Sequence, residues 1–211
     1  MKKRGMAALL VALLLFVTAC GASQQPFEAG TVTEDAYRST FFNLTFDLSE
    51  NWDALDEDEI AEVTSAVQDM FSDTEDVKHV LDSGGTFYDL YAINQEEMQQ
   101  VTIVVAKLQA ADRVKMKTGG DKALLEDVAN GLPDALAGTP MEDAQIALGE
   151  TTFMGETVSC IDWYLEQMSE YGAYDSFQKQ LMLVSGSYSM TITVTSYFED
   201  TTQEILTRFH S

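Results

Sequence analysis

The chain has 211 residues, with 35 Asp and Glu against 12 Lys and Arg, and therefore a formal net charge of −23 at neutral pH. A protein this acidic repels polyanions, so DNA and RNA are excluded as partners. With 2 cysteines and 2 histidines, the chain also lacks the Cys and His clusters of a structural zinc site.

The N-terminal residues have the pattern of a secretory signal. Three basic residues precede an apolar stretch from Met6 to Val17, which fits the apolar region of a signal peptide but is shorter than the about 20 residues that span a membrane. Residues 17–20, Val-Thr-Ala-Cys, resemble the bacterial lipobox. The resemblance implies cleavage before Cys20 and a diacylglyceryl thioether on its sulfur. We therefore predict a signal peptide over residues 1–19 and a protein anchored by two acyl chains outside the cell membrane. An uncleaved anchor and a buried N-terminal helix are the alternatives.

Loss of residues 1–19 removes three basic residues and no acidic residue, which changes the net charge from −23 to −26. That charge repels anionic headgroups, so the lipid on Cys20, not a basic patch, is expected to hold the protein at the membrane. Residues 20–34 are small and polar and predict a flexible tether. Residues 35–211 fit a single globular domain. In it, Cys160 has no disulfide partner and is expected to be a small buried residue.

The first element predicted in the domain is a half-buried strand, because Phe42, Leu44, Phe46 and Leu48 alternate with polar residues. Trp52 is expected where this strand meets the following helix.

A helix is predicted next, over residues 53–71, from an apolar stripe that includes Ile60. Asp53, Asp56 and Asp58 crowd its first turns, where acidic groups complement the helix dipole and cap free N–H groups. The alternative is a calcium site, since carboxylates are calcium ligands. The spacing lacks the glycine and the twelfth-position Glu of an EF-hand loop, so these residues are weak metal candidates.

The rest of the chain alternates hairpins with helices. Two strands are predicted on either side of residues 94–98, two about Met154-Gly155 and two about Ser185-Gly186-Ser187. A helix capped by Asp121 is expected to kink or split near Gly131 and Pro133, and a last helix follows residue 199. Adjacent strands with short turns form antiparallel sheets. The fold class is therefore α+β, an antiparallel β-sheet covered by helices.

Two segments carry a resemblance to known proteins. Residues 37–52, YRSTFFNLTFDLSENW, and the closing hairpin and helix, QKQLMLVSGSYSMTITVTS and EILTRF, are similar to small surface lipoproteins of Gram-positive clostridia. In the first segment, residues 49–52 lack the Pro of their usual turn. The resemblance covers most of residues 36–210 and implies a Mog1/PsbP-like α/β/α sandwich. It transfers no catalytic residue.

No catalytic or cofactor motif is present. His79 and His210 lie in no triad or metal motif, and the Gly119-Gly120 pair is not followed by the Lys-Ser/Thr of a phosphate loop. Tyr171 and Tyr174, in a polar stretch expected to be a loop, are the best candidates for an exposed contact. The preferred hypothesis is a non-enzymatic binding or accessory module that meets a surface protein or a cell-wall partner. The alternative is a carboxylate-dependent hydrolase of carbohydrate or cell wall.

Overall fold

The structure is a computed structural model that describes residues 27–49, 51–56, 58–60, 85–139, 141–169 and 172–211. Cys20, Tyr171, His79 and the predicted helix beyond Ile60 lie outside these residues. The elements, in chain order, are β1 (Thr31–Val32), β2 (Ala36–Ser39), β3 (Leu44–Asp47), β4 (Asp53–Ala54), β5 (Thr86–Asn94), β6 (Gln99–Lys107), α1 (Ala110–Leu136), β7 (Gln145–Phe153), β8 (Glu156–Ser169), β9 (Gly172–Ser185), β10 (Tyr188–Tyr197), α2 (Thr202–Leu206) and β11 (Phe209–His210).

Two antiparallel sheets form the fold. The large sheet has the order β4-β5-β6-β10-β9-β8-β7, and the small sheet has the order β1-β2-β3-β11. The three predicted hairpins are confirmed as β5–β6, β7–β8 and β9–β10, with a register shift in β5 between Tyr88 and Leu90. The α+β class is therefore confirmed.

The N-terminal part of the domain differs from the prediction in two ways. In place of one strand over residues 42–48, β2 and β3 form a hairpin, and Phe42 lies in the turn between them. Part of the segment assigned to the tether belongs to the fold, because β1 pairs with β2 and the backbone N–H of Gly30 donates to Asp89. The domain thus begins before residue 35.

The main core lies between the two sheets. Side chains from the inner face of the large sheet, among them Ile103, Leu181 and Ile192, pack with Phe46 of β3 and with Leu206 of α2. Cys160 is fully buried in this core, as predicted. Trp52 also belongs to it, with its ring 5.2 Å from that of Phe46.

The outer face of the large sheet is covered in part by α1, which contacts β7, β8 and β9. Ile161 and Leu165 alternate with inner-face residues of β8 and are buried, as are Leu124 and Leu125 of α1. Among the described helices, none is both long and apolar enough to cross a membrane.

Helix α1 bends at Gly120, which has φ 68° and ψ −162°, while Gly131 and Pro133 continue the helix. The predicted kink near Pro133 is therefore wrong, whereas the break at Gly120 lets the second helical segment begin next to Asp121, close to the predicted start. Lys115 forms an ion pair with Asp127. In a straight helix these residues would lie about 18 Å apart, so the segments before and after Gly120 must fold towards each other.

The acidic cluster marks a helix start, as predicted. The backbone N–H of Glu59 donates to the Asp56 carboxylate and the N–H of Asp56 donates to the Glu59 carboxylate, both at 2.9 Å. This reciprocal pair is a capping box for the helix that includes residues 58–60. Asp53, in contrast, lies in β4 and pairs with Ile93 of β5.

The central strand β10 defines two opposite ends of the domain, about 30 Å apart for ten extended residues. At the Tyr188 end, the ring of Tyr188 lies 5.2 Å from that of Phe27, the first described residue, and 5.6 Å from that of Phe41. At the Tyr197 end, β10 passes into Phe198 beside the start of β9.

Candidate binding site at the Tyr197 end

Three aromatic side chains meet at the Tyr197 end of the large sheet. The ring of Tyr174 lies 6.1 Å from that of Tyr197 and 5.6 Å from that of Phe198. The hydroxyl of Tyr174 donates to the side-chain oxygen of Gln167, its cross-strand neighbour, at 2.9 Å. Burial raises the pKa of Tyr197, with a further contribution from Tyr174. We call Tyr174, Tyr197 and Phe198 the aromatic patch.

Phe198 is the most unusual member of this patch. Its side chain is 58% exposed, and its backbone has φ +71°. A bulky residue seldom occupies this left-handed region, where glycine and asparagine are favoured. The backbone N–H of Phe198 donates to the carbonyl of Asp175 at 2.8 Å and thereby holds this conformation. An aromatic residue that is both strained in its backbone and exposed to solvent is a candidate for a functional contact.

The structure assigns one predicted contact residue to this site. Tyr174 is half-buried and lies in β9, not in a loop, because the hairpin of β8 and β9 continues to the pair Ser169 and Gly172. Tyr171 falls outside the described residues and stays a prediction. No sequence pattern indicated Phe198, since a single aromatic residue after a strand is typical of a core position.

Two exposed methionines lie at the same end of the sheet. Met168 of β8 is 77% exposed, and Met98, which precedes β6, is 46% exposed. The carbonyl of Met98 accepts a hydrogen bond from the N–H of Tyr197 at 3.1 Å. Methionine adapts its shape to a partner and is common at protein interfaces, so these residues add exposed apolar surface at this end of the sheet.

A cleft of about 440 Å³ lies over strands β7, β8 and β9. Its wall includes Ala147, Asp162, Tyr164, Phe177, Lys179 and Asp200. The size is that of small-ligand sites in proteins, and the combination of rings with a few polar groups is typical of them. In the pairing of β8 with β9, Asp162, Tyr164 and Lys179 lie on the inner face of the sheet and Tyr174 lies on the outer face. The cleft and the aromatic patch are therefore on opposite faces, and Asp200, two residues after Phe198, reaches the cleft.

An ion pair lies in the wall of the cleft. The ammonium group of Lys179 donates to the carboxylate of Asp162 at 2.5 Å. Burial is the largest influence on the pKa of Lys179 and lowers it, but the hydrogen bond to Asp162 and the negative charge of nearby groups together raise it by more, and the net shift is upward. Gly149 of β7 leaves room for the Asp162 carboxylate, which a side chain at position 149 would meet directly.

The thiol of Cys160 lies beside this ion pair, 3.7 Å from the Asp162 carboxylate. Burial, followed by the charge of Asp162, raises the pKa of Cys160 to about 11. The group is therefore a thiol at neutral pH, and thiols are poor nucleophiles.

A second polar pair lies further along the same face of the sheet. The hydroxyl of Tyr164 donates to the Asp175 carboxylate at 2.7 Å, which raises the pKa of that tyrosine. The Tyr164 ring lies 5.4 Å from the Phe177 ring. Two carboxylates of this region, Asp162 and Asp175, thus accept hydrogen bonds from side chains. The arrangement can present rings and fixed charges to a ligand.

The positions of the acidic side chains bear on the metal and hydrolase hypotheses. Within the described ranges, no three His, Cys, Asp or Glu side chains gather in a way that could hold a metal ion. The Asp56 carboxylate accepts the hydrogen bond of its capping box, and Asp53 lies on a strand. Burial raises the pKa of the Asp89 carboxyl group, which accepts hydrogen bonds from Tyr37 and Gly30. The hydrolase hypothesis stays a prediction.

Comparisons with known proteins place the chain in no family. No protein-family profile and no curated protein matches it. Among solved structures, it is similar to LpqN, described as involved in cell envelope biogenesis of Mycobacterium tuberculosis. The identity is 11% and the TM-score 0.37, over 78% of this chain and 76% of that one. A likeness of this size leaves the function to be argued from the residues of the site.

Proposed function

We propose that the protein is an extracytoplasmic, lipid-anchored binding module with a Mog1/PsbP-like fold, held at the membrane through Cys20 and without catalytic activity. Its binding site is the aromatic patch. Its partner is a surface protein or a component of the cell wall.

The observation that carries the proposal is the position of this site relative to the point where the chain enters the domain. Phe27 packs against Tyr188, and Phe198 lies at the other end of the same strand. The seven residues from Cys20 to Phe27 span at most about 25 Å. An anchor on Cys20 therefore keeps the Tyr188 end close to the bilayer and directs the aromatic patch away from it, towards partners outside the membrane.

The nature of the exposed residues supports recognition rather than chemistry. Aromatic and methionine side chains are enriched at the centres of protein interfaces. The cleft provides rings beside an ion pair, a combination that orients a ligand without forming a covalent bond. Binding by these groups requires no activated nucleophile.

Cys20→Ala tests the anchor. The thioether forms on the cysteine sulfur, so we expect the variant to incorporate no labelled fatty acid and to leave the membrane fraction or remain unprocessed. Metabolic labelling and cell fractionation measure this, with Cys160→Ala as the matched cysteine control. Lipid labelling and membrane retention that persist in Cys20→Ala would contradict the proposal.

A further inference from the structure

The domain carries a basic surface at the Tyr188 end, against the sign of its overall charge. Four of the nine Lys and Arg residues that follow residue 19 lie within residues 107–117, a stretch with a single acidic residue, Asp112. They are Lys107, Arg113, Lys115 and Lys117. Three of them belong to the segment of α1 that precedes the bend at Gly120. A net charge of −26 for the mature chain therefore conceals a local positive charge.

Contacts place this basic segment next to the point where the chain enters the domain. The backbone N–H of Leu108 donates to the carbonyl of Ser187 at 2.9 Å. The next residue, Tyr188, contacts Phe27. The hydroxyl of Ser185, in the same turn, donates to the carbonyl of Phe41 at 3.3 Å. The start of α1, the β9–β10 turn and the entering chain thus share one end of the molecule.

The basic segment borders a groove of about 490 Å³. Its wall includes the apolar residues Leu108, Val114, Met116 and Val184 together with Arg113 and Lys117. Val114 is 63% exposed. Neither Arg113 nor Lys117 forms an ion pair with a residue in the described part of the chain, whereas Lys115 pairs with Asp127. We call this surface the basic groove.

We propose that the basic groove rests on the anionic lipid headgroups of the membrane that carries the anchor. This inference depends on the proposed function, because the lipid on Cys20 brings the Tyr188 end to the bilayer. Basic residues next to a membrane attract the negative surface potential of its anionic lipids, and an exposed apolar side chain among them can enter the interfacial region. Contact at this end would orient the domain and direct the aromatic patch outwards.

A dye at position 114 tests this contact. The full-length protein, isolated from membranes with its lipid, carries Val114→Cys and an environment-sensitive label, which Cys160 does not take up because it is fully buried. The protein is reconstituted into vesicles of phosphatidylcholine alone or of phosphatidylcholine with phosphatidylglycerol. We expect a blue shift of the emission with the anionic vesicles only, and loss of the shift at high salt.

Two charge-reversal variants, one inside the basic groove and one outside it as the matched control, test the role of the basic side chains. Arg113→Glu/Lys117→Glu should abolish the blue shift, whereas Arg38→Glu/Lys122→Glu makes the same change in total charge at exposed positions outside the groove and should retain it. Equal emission with both kinds of vesicle, or a blue shift that survives Arg113→Glu/Lys117→Glu, would overturn the inference.

Flotation of the same samples separates this inference from the proposed function. A protein that floats with both kinds of vesicle but shows no blue shift retains its anchor and refutes the basic groove. A protein that floats only with anionic vesicles, with a blue shift, refutes the anchor and supports the groove. A protein that neither floats nor shifts refutes both.

Discussion

Phe198 has a left-handed backbone conformation that is unfavourable for a phenylalanine. Its left-handed conformation costs about 1–2 kcal/mol for a residue with a Cβ. Its ring contact with Tyr174 returns about 0.5–1.5 kcal/mol. The two effects nearly cancel, so the folded state gains little from a phenylalanine here, and a contact outside the chain is the better reason for it.

Phe198→Asn tests this balance. Asparagine tolerates the left-handed region, so we expect the free energy of unfolding to change by less than about 1 kcal/mol. Urea denaturation measures the change. Phe46→Ala removes a fully buried ring and should lower the free energy of unfolding by about 3–5 kcal/mol. This variant shows that the assay detects a loss of core packing. A comparable loss for Phe198→Asn would mean that the phenylalanine serves the fold.

The buried Asp89 gives a prediction about pH. Its carboxylate accepts hydrogen bonds from the Tyr37 hydroxyl at 2.6 Å and from the Gly30 N–H at 2.7 Å. Burial raises the pKa of Asp89 above its ordinary value of 3.8, against these two donors. Folding therefore favours the protonated carboxyl. This stabilisation is complete below pH 3.8 and is lost as the pH rises through the pKa of the folded state.

Asp89→Asn removes this titration. The variant does not lose stability through this group, so its free energy of unfolding should increase relative to that of the natural protein as the pH rises from about 4 to 7. Urea unfolding at several pH values measures the difference. Asp47→Asn is a control of opposite sign, since hydrogen bonds from Ser49 lower the pKa of that carboxyl. Parallel stability curves for Asp89→Asn and the natural protein would contradict the assignment.

At the scale of elements, Gly120 determines the shape of α1. Its φ and ψ lie in a region that is essentially restricted to glycine. Gly131 lies in the same helix with helical backbone angles and open space around its Cα. The two glycines therefore have opposite roles, although the sequence alone does not distinguish them.

Alanine substitutions should separate these roles. Gly120→Ala is expected to destabilise the protein by about 1–3 kcal/mol through backbone strain. Gly131→Ala should stabilise it by up to about 1 kcal/mol, because alanine favours the helix. Thermal unfolding of both variants measures the difference, and a destabilisation that is equal at the two positions would show that the bend does not depend on Gly120.

Sequence patterns predicted most of the elements, because period-two alternation and Gly-containing turns are local signals. They failed where an apolar residue occupies a turn. Phe42 extends the alternation of β3, so the β2–β3 hairpin is hidden. They also failed at Tyr174, where cross-strand pairing overrides a polar composition. The site combines residues from β8, β9 and β10, and long-range pairing of this kind has no local signature.

At the scale of the whole molecule, charge and apolar surface are distributed unevenly between the two ends of β10. The Tyr188 end carries the basic groove and the entering chain. The Tyr197 end carries the aromatic patch with Glu199 and Asp200 next to it. The overall composition shows neither feature. For this reason the net charge alone led to the expectation that no basic patch helps to hold the protein at the membrane.

Photo-crosslinking on intact cells tests most directly the claim that the aromatic patch is the binding surface. A photoreactive phenylalanine analogue replaces Phe198 or Tyr174 in the full-length protein, and replaces Met154, a 37% exposed residue in the β7–β8 turn, as the control. We predict a discrete adduct of higher mass from positions 198 and 174 and none from position 154. No adduct at positions 198 and 174, or the same adducts from all three positions, would contradict the account.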